Sequence, residues 1–239
     1  MPPTVILPLI ITLAAGYFLG SVPTGYLVGR ARGLDLRTLG SGNIGATNAL
    51  RILGKPAGIA VLVVDALKGL LAATLVPALV ARWFPSAAVG ETGAALLGAA
   101  GGIGSVLGHN FTCWLRFKGG KGVATSAGVL AGLLPWAFLA VLGVFLLTLA
   151  LTRTVSLGSI AGAVALPIAT ALWHRQPLLL GFSVILAALA IWRHRANITR
   201  LLAGTEPRLG QRRDAPPPTP TGPQSNPPSV PEPPTSSPP

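Results

Sequence analysis

Three short polar segments carry the side chains able to do chemistry in this 239-residue chain. The first, at 40–51, sets Gly40, Gly42 and Gly45 among Ser41, Asn43, Thr47 and Asn48 and ends on Arg51. Glycines at this density let the backbone turn tightly and aim N–H groups at one point, and a short helix after Gly45 would present Arg51. Such a set suits a phosphate or another oxyanion. The plain alternative is a flexible connection with incidental polarity, but the segment is dense in donors, basic and without Asp or Glu, which favours the anion site. The second segment runs from Gly108 and His109 to Phe-Lys-Gly-Gly-Lys-Gly-Val-Ala-Thr at 117–125. It puts the amides of Gly119, Gly120 and Gly122, with Lys121, at the start of an apolar helix, without the Gly-x4-Gly-Lys-Ser/Thr spacing of a nucleotide P-loop. The third, 192–206, holds His194 and Asn197 three residues apart, on one face of a helix, with Gly204 as a C-cap. Arg193, Arg195 and Arg200 read as headgroup anchors, and Glu206 as a structural ion-pair partner.

Other candidates are single residues. Asp65 and Lys68 lie three apart inside an apolar stretch, where ionisable side chains are expensive and neutralise one another or serve function; here a structural pair is favoured. Ser156 follows Arg153 at the start of a later apolar run, as a helix cap or a ligand donor. His109 and His174 have no evident partner and read as structural. One cysteine, Cys113, excludes an internal disulfide, and three scattered histidines with six acids make a metal site unexpected.

The elements that must position these residues are set by composition. The chain is 51% hydrophobic and 10% charged, with mean hydropathy +0.64, whereas soluble domains carry about a quarter charged residues. A polytopic membrane protein is therefore expected. The net charge is +12, and residues 1–204 account for it, with 15 Lys/Arg against three acids; an anionic partner follows for the hydrophobic body, whether lipid headgroup or substrate, with no sign of nucleic acid. Thirteen of the 23 prolines lie from Pro207 onward. The segment 214–239 reads as a disordered cytoplasmic tail after a membrane domain of residues 1–213.

Apolar runs fall at 4–29, 57–81, 92–114, 123–151, 155–173 and 177–192. The positive-inside rule asks the basic patches 30–55, 116–121 and 193–213 to share the cytoplasmic face. Parity then requires the run 123–151 to be broken, and Pro135 disfavours helix at Leu134. The expectation is an all-α polytopic protein of about seven transmembrane helices, some short, with the N-terminus outside and the C-terminus cytoplasmic.

As an ordered set these motifs resemble the bacterial acyl-phosphate-dependent glycerol-3-phosphate acyltransferase family. The matching pieces are Gly-Ser-Gly-Asn-Ile-Gly-Ala-Thr-Asn at 40–48 with Arg51, Gly108-His109, the 117–125 segment, Asp65 with Lys68 and Gly69, and His194, Asn197, Ile198, Arg200, Leu201, Gly204 and Glu206. The resemblance covers about residues 4–208; where the family usually has proline, this chain has Thr112. It implies a multi-pass enzyme of the bacterial inner membrane with a cytoplasm-facing site and no cofactor. The implied reaction moves a fatty acyl group from acyl phosphate to the 1-hydroxyl of sn-glycerol 3-phosphate, giving lysophosphatidic acid and phosphate. The enzyme that makes acyl phosphate is a further expected partner. The resemblance gives Ser41, Arg51, Lys121, Ser156, His194 and Asn197 essential or substrate-contacting roles, with Gly119, Gly120 and Gly122 near acyl phosphate; Asn43, Thr47 and Asn48 are added as binding residues and Asp65, Lys68 and Glu206 as structural ones.

The residue chemistry agrees. Both substrates carry a phosphoryl group, so cations and N–H donors must converge, and acyl phosphate is already activated, leaving positioning and charge stabilisation to the protein. Two rival readings fit the residues less well. An acyl-CoA type acyltransferase needs a His-x4-Asp dyad, but Trp114, Leu179 and Thr199 stand at the required positions. A transporter of a phosphorylated anion would bind near the midplane, whereas the donors here gather at one face.

Overall fold

The computed structural model describes residues 3–174 and 176–210; the Pro-rich segment 214–239 lies outside them. All regular elements among the described residues are helical. In chain order the α-helices are α1 (Pro3–Ser21), α2 (Thr24–Arg30), α3 (Ala46–Leu53), α4 (Lys55–Ala73), α5 (Leu75–Trp83), α6 (Gly90–Asn110), α7 (Val123–Leu133), α8 (Pro135–Thr152), α9 (Val155–Trp173), α10 (Pro177–Arg193) and α11 (Arg195–Leu202), with short 3-10 turns at Pro85–Ala88 and Cys113–Leu115. The expected break is present: α7 ends at Leu133 and Pro135 opens α8, where a missing N–H costs nothing.

Four spans are long and apolar enough to cross a bilayer: Val5–Arg30, Lys55–Trp83, Pro135–Thr152 and Val155–Trp173. The pair α10 and α11, bent by 58°, makes a fifth when the two are taken as one span. Helix is found in each of the seven expected segments, but 4–29 is divided between α1 and α2 and 57–81 between α4 and α5, α7 has only 11 residues and α6 is diluted by seven glycines. Both pack on protein, which relaxes the demand for length and apolarity.

Small residues bring the central helices together. A Cβ on Gly16, Gly20, Gly104 or Gly108 would overlap backbone across the α1–α6 contact, and on Gly69 or Gly128 across α4–α7. Lipid gives helices no hydrophobic reason to associate, so close backbone approach supplies the dispersion energy. Val129, Leu130, Leu134, Leu166, Phe182 and Leu186 fill the main core, and a second cluster of Leu36, Ala49 and Val61 lies under the first polar loop. Helix α8 leans on α9 and leaves Leu139, Leu146, Leu147 and Leu151 exposed, as lipid contact requires. Trp83, Trp136 and Trp173 mark the helix ends opposite the polar loops, while Trp114 and Trp192 mark the loop end, an arrangement suited to two interfacial belts.

Candidate active site

The first loop is shaped by its own amides. The Asn43 Oδ1 accepts from the Gly45 N–H at 2.7 Å, an Asx turn that starts α3. Asn48 is buried, takes the Ser41 N–H on its Oδ1 at 3.0 Å and donates Nδ2 to the carbonyls of Leu36 and Leu39. Both asparagines, expected to face substrate, thus direct these groups into the loop. Gly40 and Gly42 hold φ of 60° and 70°, which lets the chain reverse over Asn48. Ser41 is exposed, Thr47 is half-buried in the first turn of α3, and Arg51 is exposed in its last turn.

The glycine turn of the second loop also differs from the reading. Its amides were expected to point outward, yet Gly119 N–H donates to Asn110 and Gly120 N–H to His109, at 3.1 and 3.0 Å. The carbonyls of Gly119 and Gly120 are held by Arg193. What the turn offers outward is Lys121, just ahead of Gly122 (φ 79°) and the start of α7. Thr112, where proline was the family habit, has φ −63°, the value proline imposes; its hydroxyl also donates to Ser21 O at 2.6 Å.

The third loop folds back on itself. His194 sits in the bend between α10 and α11, not within a helix shared with Asn197 as expected, and its carbonyl accepts the Asn197 N–H at 2.8 Å. Its Nδ1 is 2.8 Å from Ala190 O; a carbonyl only accepts, so Nδ1 carries the hydrogen and Nε2 is left for other partners. After α11, Gly204 at φ 68° closes a Schellman pair, with Thr205 N–H donating to Arg200 O and Gly204 N–H to Leu201 O. The reversal returns Glu206 to α9 and α11, and Leu209 N–H then reaches Arg153 O at 2.7 Å.

Glu206 is the hub. Its Oε1 accepts from Ser156 at 2.7 Å and Asn197 Nδ2 at 2.6 Å, and its Oε2 accepts from Arg200 Nε at 2.7 Å. Burial alone would raise its carboxyl, but these three donors outweigh that and hold it below the usual range. Ser156 therefore bonds across the fold, and Thr154 takes the N-cap position it was read for. Arg200, read as a headgroup anchor, is an ion-pair partner.

Asn197 passes the hub on to Lys121, whose Nζ donates to Asn197 Oδ1 at 2.6 Å. Burial pulls the Lys121 ammonium down to about 8; Glu206 opposes this, while Arg200, Arg193 and Arg51 push the same way as burial. Arg51 from the first loop, Lys121 from the second and the arginines of the third thus share one electrostatic neighbourhood. His194 feels the charges of Lys121, Glu206 and Arg193.

Beneath the loops, Asp65 accepts from Thr24 and from Lys68, each at 2.9 Å, and Lys68 also donates to Val22 O. His109, read as partnerless, has its Nδ1 3.7 Å from Asp65, close approach without a hydrogen bond; Asp65 lies on another helix, 44 positions away, where no local pattern reveals it. Arg193 is the other residue the sequence undervalued: its run of arginines looks like any juxtamembrane anchor. Among the described residues no group of three or more His, Cys, Asp or Glu side chains is placed to hold a metal ion.

Comparison with known proteins agrees in family and in fold. The family model for glycerol-3-phosphate acyltransferase matches residues 10–204. Glycerol-3-phosphate acyltransferase of Geotalea daltonii is 48% identical over 197 residues, covering 82% of this chain and 95% of that protein. The Geobacter sulfurreducens enzyme of the same name is 48% identical over 200 residues, covering 84% and 97%. The crystal structure of an integral membrane glycerol 3-phosphate acyltransferase in its glycerol 3-phosphate form is 36% identical, with TM-score 0.75, over 84% of this chain and 96% of that one. Its lysophosphatidic acid form gives 35% identity and TM-score 0.71, over 86% and 95%. These relatives are acyltransferases and lend nothing to the transporter alternative. The chain belongs to the glycerol-3-phosphate acyltransferase family.

Proposed function

We propose that this protein transfers a fatty acyl group from acyl phosphate to the 1-hydroxyl of sn-glycerol 3-phosphate, in a bacterial inner membrane, at a site facing the cytoplasm. In this reading seven helical segments cross or enter the bilayer, with the N-terminus outside and the C-terminus inside. The observation that carries it is the convergence on Lys121: its bond to Asn197, and the charges of Arg51, Arg193 and Arg200 around it, gather cations of three separate loops. Two phosphoryl groups side by side need such a field, and a pre-set field needs no reorganisation during reaction.

The chemistry follows from the reactants. The glycerol oxygen attacks the carbonyl carbon of acyl phosphate, the bond from that carbon to the phosphate oxygen breaks, and the hydroxyl proton leaves on the released phosphate. No enzyme nucleophile is required. Lys121 and Arg51 neutralise phosphate charge, Ser41 and Thr47 offer hydroxyls, and His194 Nε2 orients the attacking hydroxyl. Ser156 and Glu206 set Asn197, and through it Lys121.

The test is turnover by detergent-purified protein with palmitoyl phosphate. Phosphate release that depends on glycerol 3-phosphate, with lysophosphatidic acid as product, is the expected result. Release without acceptor dependence, or product from palmitoyl-CoA and none from palmitoyl phosphate, refutes the donor assignment.

A further inference from the structure

We infer that Arg193 is a positioning residue that holds the Gly119–Gly120 turn, and with it Lys121, in the reactive arrangement. Its Nε donates to Gly120 O at 3.1 Å, and its Nη2 donates to Gly119 O at 3.1 Å and also to Gly120 O. The guanidinium carbon lies 5.2 Å from the Phe111 ring centroid and 5.8 Å from that of Trp192, and the two rings are 5.9 Å apart. Both rings thus lie within cation–π reach of the guanidinium that meets the turn.

The turn is gripped from both edges. Its amides are bound to the carbonyls of His109 and Asn110 at the end of α6, and its carbonyls to Arg193 at the end of α10. A Cβ on Gly119 would overlap His109 O, and one on Gly120 would overlap the His109 ring, so the turn lies close against the end of α6. Lys121 is the next residue, and its Nζ donates to Asn197 on α11. Glycine is the most flexible residue type, so two in a row fix a lysine only where outside groups hold their peptide planes. Arg193 is the outside group on the α10 side. It sits next to His194 in sequence, so one helix end sets both the turn and the imidazole.

This inference rests on the acyltransferase reading, and its test separates the two. Arg193→Ala, Arg193→Lys and Arg193→Gln are assayed as full-length protein in detergent for kcat, for KM of both substrates and for melting temperature. Misplacing a reacting group by about 1 Å costs on the order of 100-fold, so the Ala variant should lose about that in kcat with smaller changes in KM. Gln keeps two N–H donors on a planar group without charge, and Lys keeps charge as a single point; fork geometry predicts that Gln recovers more kcat than Lys. An Ala variant within about threefold of wild type overturns the inference, as does recovery by Lys and not by Gln, which assigns the effect to bare charge. Loss in all three variants that tracks a falling melting temperature overturns it too. Should the Ala variant fail to fold, the ranking of Gln and Lys decides alone. A wild-type protein active only with another acyl donor refutes the donor assignment, and the variant ranking is then read with that donor.

Discussion

Raising the pH from 7 to 9 strips the charge from Lys121 without changing a residue. Burial first, then the nearby arginines, bring its ammonium down to about 8. With that value about ten in eleven free sites carry the charge at pH 7 and about one in eleven at pH 9, so kcat/KM should fall roughly tenfold across the interval. The substrate phosphates do not produce this limb, because their second ionisation lies near 6, below it. The sign is fixed: the charged lysine is the working form, so activity is lost as pH rises through about 8. A bound phosphate favours the ammonium, and the kcat profile at saturation should therefore break at higher pH than kcat/KM. The assay is initial phosphate release at subsaturating glycerol 3-phosphate, corrected for spontaneous hydrolysis of the donor. Lys121→Arg keeps its charge throughout, so its profile should be flat over the interval even where its overall rate is lower. An unchanged alkaline limb in Lys121→Arg, or a wild-type profile level to pH 9, would falsify the role given to this ammonium.

Three further outcomes follow from the packing. Asp65→Ala leaves Lys68, 4% exposed, without its carboxylate; a loss of about 3–5 kcal/mol is expected in detergent unfolding, and the paired replacement Asp65→Leu with Lys68→Met should be milder. Gly120→Ala drives a methyl into His109, whereas Gly143 on α8 faces open space. The first should cost on the order of 100-fold in turnover and the second nothing measurable, as paired kinetic assays would show. Glu206→Ala strips Ser156, Asn197 and Arg200 of a shared partner. Each buried donor left unpaired, Ser156 and Asn197, costs about 1–3 kcal/mol, so melting temperature and turnover should fall together, and Glu206→Gln, which still accepts from Ser156 and Asn197, should recover part of both.

Composition and periodicity by themselves determined that the chain is helical and bilayer-sized, where the long run must break at Leu134 and Pro135, and that three basic loops, two of them glycine-rich, belong to one end. Those are local properties: hydropathy over about 20 residues, the missing N–H of proline, the charge bias of loops. Lys121, Asn197 and Glu206 were also legible as residues of interest. Their order along a chain of bonds was not, because Lys121 and Asn197 are 76 positions apart and Ser156 and Glu206 are 50 apart. The direction of backbone groups was equally hidden. Asn43 and Asn48 serve the loop, and the amides of Gly119 and Gly120 are taken by α6, since a buried polar group bonds to whatever the fold brings nearest. Only the tertiary structure separated Arg193 and Arg200 from Arg195. Three arginines within eight residues are alike as sequence, but one meets two glycine carbonyls, one meets a carboxylate, and Arg195 lies over the exposed Trp192 ring at 4.5 Å, because the 58° bend after α10 turns each to a different neighbour.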